Sequence, residues 1–256
     1  MDTVLIFLFG LAFGSFQNVL ISRIPRGESI FGRSYCETCN HRIGISDNIP
    51  VISFLILKGH CRHCGARISI RHLLIELLCP LMLLLGSYAA NTAFDALIWG
   101  IFTLFAIPLL VIDQSHHRLP NVLNYSLFST LFFLIFAKTM IDRNYHLFLT
   151  SIFQAFSLFC FYLIIRLLSK GGMGLGDAKL SLSIGLLSGY YGNRMLFIST
   201  YGAFLLGALY SIAILIFKKS GRKTKVPFGP FMILGMYLAL FINLKLHPNS
   251  NFFGNL

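Results

Sequence analysis

An all-α integral membrane protein is predicted, with about eight transmembrane helices and a polar, cysteine-bearing loop domain between the first two. Three observations carry this reading. Hydrophobic residues make up 56% of the 256 and charged residues only 12%, about half of what a soluble domain carries. The mean hydropathy is +0.75, more apolar surface than a water-soluble chain of this length can hide. Finally, apolar runs near the 20 residues or so that cross a bilayer recur at about 4–24, 73–90, 96–112, 121–140, 146–168, 178–191, 195–217 and 227–244.

The elements follow in order. The run Val4–Ile24 lacks a basic n-region, carries Asp2 ahead of it and has no evident cleavage site, so it is read as a retained first helix rather than a secretory signal. Residues 25–72 form the one long polar segment, with Cys pairs and a dispersed apolar set that includes Ile43, Ile49, Val51, Ile52, Phe54 and Leu55. Residues 73–256 then read as a polytopic domain. The sixth run, 178–191, is short and rich in Gly and Ser. No internal repeat is visible, which counts against transporters built from duplicated halves.

Charge placement orients the chain. Seventeen of the 21 Lys and Arg residues fall in or beside the odd-numbered connections, clustering at Arg23–Arg71 and Lys218–Lys225. Only Lys138, Arg143, Arg194 and Lys245 lie in even-numbered connections or the tail. Positive residues collect on the cytoplasmic side, so the odd loops are expected inside and both termini outside. The formal net charge of +12 is thereby a topology signal with some attraction to anionic lipid, and not a nucleic-acid patch.

The nine acidic residues reduce by elimination. Asp2, Asp95 and Asp142 sit in expected outside segments; Glu28, Glu37 and Asp47 sit in the large loop; Glu76 lies near the start of the second helix. Asp113 and Asp177 remain. Asp113 ends the run Leu109-Leu110-Val111-Ile112, and Asp177 closes Gly172-Met173-Gly174-Leu175-Gly176 as a helix begins. Both fall at cytoplasmic helix ends. Two neighbouring carboxylates cannot both ionise, so a pair supplies one base for water and one acid for a peptide carbonyl. The glycines before Asp177 would let a substrate backbone approach closely. The plainer alternative is that each is an interfacial residue, with Asp177 capping its helix.

Cys36-Glu37-Thr38-Cys39 and Cys61-Arg62-His63-Cys64 form two Cys-x-x-Cys knuckles. Four thiolates in this pattern suit tetrahedral zinc, and a closed site of this kind would be structural, holding a loop that lacks a large core. His41, His60 and His63 are alternative ligands, and a redox role for either knuckle is the competing reading. On the cytoplasmic side disulfides are not expected. Cys79 and Cys160 fall inside apolar helices as packing residues. Glu76 is read either as a functional carboxylate or as a helix-end ion pair with Arg71 or His72. Lys179 either orients Asp177 or snorkels, and His116 and His117 either tune Asp113 or stand exposed.

In sum the chain resembles the type IV prepilin peptidase family (prepilin leader peptidase/N-methyltransferase), the Gly-x-Gly-Asp type of intramembrane aspartyl protease. The residues that carry the likeness are Gly14-Ser15-Phe16-Gln17-Asn18-Val19 with Arg23-Ile24-Pro25, both knuckles, Asp47-Asn48-Ile49-Pro50, and Ile68-Ser69-Ile70-Arg71 followed by Glu76. Further on come Asp113 with Leu119-Pro120-Asn121, Gly174-Leu175-Gly176-Asp177-Ala178-Lys179-Leu180, and Val226-Pro227-Phe228-Gly229-Pro230-Phe231. The sequence departs from the usual pattern at Glu37, Gln17 and Phe54.

The resemblance implies a bacterial cytoplasmic (inner) membrane enzyme that cuts the basic leader from type IV prepilins or type II secretion pseudopilins on the cytoplasmic face. Asp113 and Asp177 would be its catalytic residues, and Cys36, Cys39, Cys61 and Cys64 the metal ligands. The loop 25–72 would be the N-methyltransferase-associated part, and S-adenosylmethionine the donor for methylating the new N-terminus. The expected partners are prepilin or pseudopilin substrates and the lipid bilayer. Two alternatives stand beside this one: a peptidase without methyl transfer, and a non-catalytic membrane scaffold or transporter with a zinc-bound loop.

Overall fold

A computed structural model describes residues 3–169, 172–217 and 226–246, with the side chains of Phe217 and residues 244–246 excepted. Asp2, Lys170, the basic residues of 218–225 and the side chain of Lys245, all used in the charge reading, lie outside these. The described residues contain helices and no strands beyond two isolated bridges. Eight long helices are present: α1 (Thr3–Arg23), α3 (Ile70–Ala89), α4 (Ala93–His116), α5 (Asn121–Ile141), α6 (Tyr145–Leu168), α7 (Leu175–Tyr191), α8 (Asn193–Phe217) and α9 (Gly229–Leu246). The five-residue α2 (Ile52–Ile56) lies in the polar segment. Six of the long helices have the length and hydropathy to cross a membrane: α1, α3, α4, α5, α6 and α8. The other two fall just under that length among the described residues, α7 at 17 residues and the apolar stretch of α9 at Gly229–Asn243. The chain is therefore a multi-pass, all-α membrane protein.

The chain divides into two compact units, 1–88 and 89–256. In the first, α1 lies against α3 through Gly10 and Gly14: a Cβ at Gly14 would stand 2.8 Å from the Glu76 Cα. Small residues four apart allow this approach where lipid provides no hydrophobic drive between helices. Asn18 donates to the His72 carbonyl at 3.1 Å, a second tie between the two helices. Arg23, at the end of α1, turns the chain into the polar segment by donating to the carbonyls of Ser29, Phe31 and Arg33 at 2.9–3.1 Å. From residue 24 to residue 74 only Gly59 is buried.

The second unit has an extended apolar core that includes Trp99, Phe102, Leu109 and Ile112 of α4, Tyr190 of α7 and Met236 and Tyr237 of α9, none more than 7% exposed. Trp99 and Phe102 meet edge to face at 5.8 Å, and the Thr103 and Tyr237 hydroxyls are 2.7 Å apart. α4 starts with a capping box, Asp95 N–H to Thr92 Oγ1 at 3.2 Å and Thr92 N–H to Asp95 Oδ2 at 3.1 Å. Asp95 is thus a helix-start residue and fully buried, where the elimination above set it aside in a connecting segment. The Tyr190 hydroxyl donates to its Oδ1 at 2.8 Å, which satisfies the charge inside the core.

Candidate active site and cysteine centre

α4 carries Asp113 one turn before its end. The helix stops at His117, which adopts a left-handed conformation (φ 52°) and donates its N–H to the Asp113 carbonyl at 2.8 Å. Leu119-Pro120 then turns the chain into α5, Pro120 occupying the cap position. Asp113 is only 4% exposed. Its Oδ2 accepts from the backbone N–H of Gly229, the first residue of α9, at 3.1 Å.

Asp177 is the third residue of α7 and 6% exposed. Its Oδ2 accepts from the Gly174 N–H at 3.1 Å, so the side chain does cap its own helix, from inside the first turn. The cap does not exhaust it. The Gly229 amide also interacts with the Asp177 carboxylate, and the two carboxylates act on each other electrostatically. Two acids 64 residues apart in sequence thus converge on one backbone N–H.

The two glycines at this point are required by close approach. A Cβ on Gly229 would lie 2.7 Å from Asp113 Oδ2 and 3.2 Å from Leu119 Cδ1, and one on Gly176 would lie 2.8 Å from Leu119 Cβ. Leu119 is the wedge between the starts of α7 and α9. In the sequence Leu119 and Gly229 stand in motifs with no evident task of their own. The signal was a Leu-Pro just after one aspartate and a Gly between Phe and Pro, and only the packing reveals that both bear on the carboxylates.

Lys179 donates to Asn121 Oδ1 at 2.8 Å and lies 5.1 Å over the Tyr125 ring, so it ties α7 to α5 instead of reaching Asp177. His116 and His117 are exposed. Glu76 accepts from the Val51 N–H at 2.7 Å and pairs with neither Arg71 nor His72 among the described ion pairs. Val51 needs that anchor: it holds φ 63°, rare for a β-branched residue, at the entry to α2. Cys79 is buried in α3 and Cys160 is exposed on α6.

The four knuckle cysteines come together. Their Sγ atoms all lie within 4.8 Å of one another, and Cys36 and Cys64 are 3.9 Å apart. Sulfurs on a tetrahedral zinc with bonds of about 2.3 Å stand about 3.8 Å apart, so the set fits such an ion and is too wide for a disulfide. The backbone amides of Cys39 and Thr38 draw the Cys36 thiol down to about 6, toward the thiolate that binds metal. The histidines are outside this set: His41 and His63 lie against each other, tilted by 36°, with ring centroids 3.4 Å apart. Each knuckle is closed by a short backbone loop, Cys36 N–H to His41 O at 2.9 Å and Cys61 N–H to Ala66 O at 2.8 Å. Beside them Arg62 grips Asp47 with two bonds of 2.7 and 2.9 Å, which holds that carboxyl below its usual range.

These features define a class: a multi-pass helical membrane protein with two buried, converging carboxylates and a four-cysteine cluster able to hold a metal ion. Comparison with known proteins narrows it. Residues 8–90 match the family described as Bacterial Peptidase A24 N-terminal domain, and residues 100–212 match the Type IV leader peptidase family. The prepilin leader peptidase/N-methyltransferase of Aeromonas salmonicida (strain A449) is 30% identical over 92% of this chain and 89% of its own length. The proteins of that name from Dichelobacter nodosus and Bacillus subtilis (strain 168) are each 30% identical, covering 96% and 92% of this chain and 93% and 92% of their own. No solved structure matches the chain. It belongs to the type IV leader peptidase family.

Proposed function

We propose that this chain removes the leader peptide of type IV prepilins or pseudopilins and methylates the new N-terminal amine. The observation that carries the reading is the convergence of Asp113 and Asp177 on the Gly229 amide. In the proposed reaction the ionised carboxylate takes a proton from water, whose oxygen adds to the scissile carbonyl carbon. The protonated carboxyl gives its proton to the carbonyl oxygen. The C–N bond of the resulting diol then breaks as the nitrogen receives the proton held by the first carboxyl, and one diol hydroxyl returns its proton to the second carboxylate, which leaves the carboxylic acid and restores the pair. The Gly229 N–H and the Gly174 N–H orient the pair. Burial excludes bulk water, and the missing side chains at Gly176 and Gly229 leave room for a substrate backbone.

Cys36, Cys39, Cys61 and Cys64 are proposed to hold a structural zinc ion that fastens residues 25–72. The near-absence of an apolar core in that segment supports this. S-adenosylmethionine is the implied methyl donor. The proposed placement is the bacterial inner membrane with eight spans, α7 and α9 included, both termini outside, and the cysteine loop and aspartates on the cytoplasmic side. The skew of Lys and Arg toward the odd connections supports that orientation. The test is processing of a prepilin in the membrane by Asp113→Asn and Asp177→Asn variants. Loss of cleavage in both, with insertion retained, is expected. Normal cleavage by either would overturn the assignment. Mass spectrometry of the mature N-terminus, reading a gain of about one methylene, separates the bifunctional enzyme from a peptidase alone.

A further inference from the structure

The stretch of α6 that faces α7 carries a polar group with no task so far. The two helices run antiparallel at close range. A Cβ on Gly189 would stand 3.2 Å from the Ser151 nitrogen, and one on Gly185 2.7 Å from the Ala155 Cα. In an antiparallel pair each residue gained on one helix is lost on the other, so this register runs on through Leu158 to place Tyr162 beside Ala178, next to Asp177. The next turn agrees: Arg166, one turn beyond Tyr162, donates to the carbonyl of Met173 at 3.1 Å.

A second side of the site fixes the ring. Tyr162 stacks on Phe204 (5.9 Å, interplanar 6°) and meets Phe228 at 5.9 Å. Phe228 directly precedes Gly229, whose amide bonds Asp113. The tyrosine is therefore clamped between the starts of α7 and α9, the two elements that bring the aspartates together. It is 1% exposed, and among the described residues its hydroxyl makes no hydrogen bond. The Asp177 carboxylate acts on that hydroxyl electrostatically. A phenol held rigidly beside the Asp177 carboxylate, with no protein group taking its proton, offers a donor already in place.

We propose that Tyr162 is a third catalytic residue of the carboxylate site, its hydroxyl donating to the substrate carbonyl as negative charge develops on that oxygen. This rests on the peptidase reading above. A donor already in place there acts at the transition state more than in the ground state, so its removal lowers kcat and leaves KM nearly unchanged.

The experiment uses the full-length protein in membranes or detergent with a prepilin substrate. Tyr162→Phe keeps the ring, and hence the stack on Phe204 and Phe228, and removes only the oxygen. The expected result is a fall in kcat of about 10–100-fold with KM within about twofold. Methylation of an already-cleaved pilin should stay at the parental rate, since Tyr162 lies outside the first unit. Phe204→Leu, which loosens the stack and keeps the hydroxyl, should retain far more activity than Tyr162→Phe. Parental kcat in Tyr162→Phe overturns the proposal, as does an equal fall in cleavage and methylation, which marks a general structural effect. Asp113→Asn and Asp177→Asn run alongside. If they cleave normally, the peptidase reading has failed; if they are inactive while Tyr162→Phe is normal, only the role of Tyr162 has.

Discussion

The segment 24–74 and the bundle 89–256 hold their functional side chains in opposite ways. In the segment almost every residue is at least partly exposed, and Phe31 and Ile45 are 83% and 80% exposed. Its shape comes from hydrogen-bonded turns, two exposed ion pairs and four thiols gathered within 4.8 Å. Exposed ion pairs contribute about 0–1 kcal/mol each, so the thiol cluster joins the Arg23 and Glu76 anchors as a main constraint, and a bound metal would supply the rest. In the bundle the carboxylates sit in a packed interior, and their positions follow from glycines that admit a neighbouring side chain and nothing more. One region depends on what it binds; the other depends on fit.

The largest effects separate chemistry from fit. Asp113→Asn and Asp177→Asn should each lower cleavage by at least about 10³-fold while leaving helicity and thermal unfolding close to parental, because amide and carboxylate differ little in volume. Residual cleavage within about tenfold of the parent, measured on purified protein, would place the chemistry elsewhere. On the other side of the comparison, Cys36→Ser or Cys61→Ser should reduce bound metal from about one ion per chain to near none. The segment 25–72 should then be cut by trypsin at Arg33, Arg42 or Arg67 under conditions where the parent resists. Unchanged metal content by elemental analysis would remove the zinc assignment, and unchanged resistance would mean that the turns suffice.

A smaller effect tests fit alone. Gly229→Ala places a Cβ 2.7 Å from Asp113 Oδ2, so the carboxylate or α9 must shift. Cleavage should fall about 10–100-fold with a stability loss of about 1–3 kcal/mol, read from parallel activity and denaturation curves. Wild-type activity would show that the amide is not needed as an anchor. The smallest effect is expected at the third buried aspartate of the bundle. Asp95→Ala removes a helix cap and leaves the Tyr190 hydroxyl without its acceptor, costing about 1–3 kcal/mol. Cleavage at permissive temperature should stay within about twofold. A larger loss would show that burial, and not convergence, marks the functional acids.

Much of the fold could be read from apolar runs, because a spanning helix is a local property of length and hydropathy. Run ends agree with helix ends to within a few residues for α1, α5 and α6. The polar segment was harder. Its apolar residues are dispersed, and the structure leaves Ile49, Ile52 and Leu55 exposed, since spacing there says nothing about what covers them. Asp95 was misjudged for a related reason. It sits at a helix start, where a carboxylate usually faces water, and only its contact with Tyr190, 95 residues away, makes it a core residue. Glu76 looked like an ion-pair member because Arg71 and His72 are its neighbours in sequence, while its partner is a strained backbone amide 25 residues earlier.

By itself the sequence determined a helical membrane protein, a four-cysteine loop and two acids singled out from nine, because those depend on composition, spacing and charge. It did not determine that the acids meet. Their approach depends on Gly176, Gly229 and Leu119 fitting against one another across three connections, and on one amide at the start of α9 facing both. That is a property of packing between distant segments. Only the tertiary structure could decide it, and with it the place of Tyr162 beside Asp177.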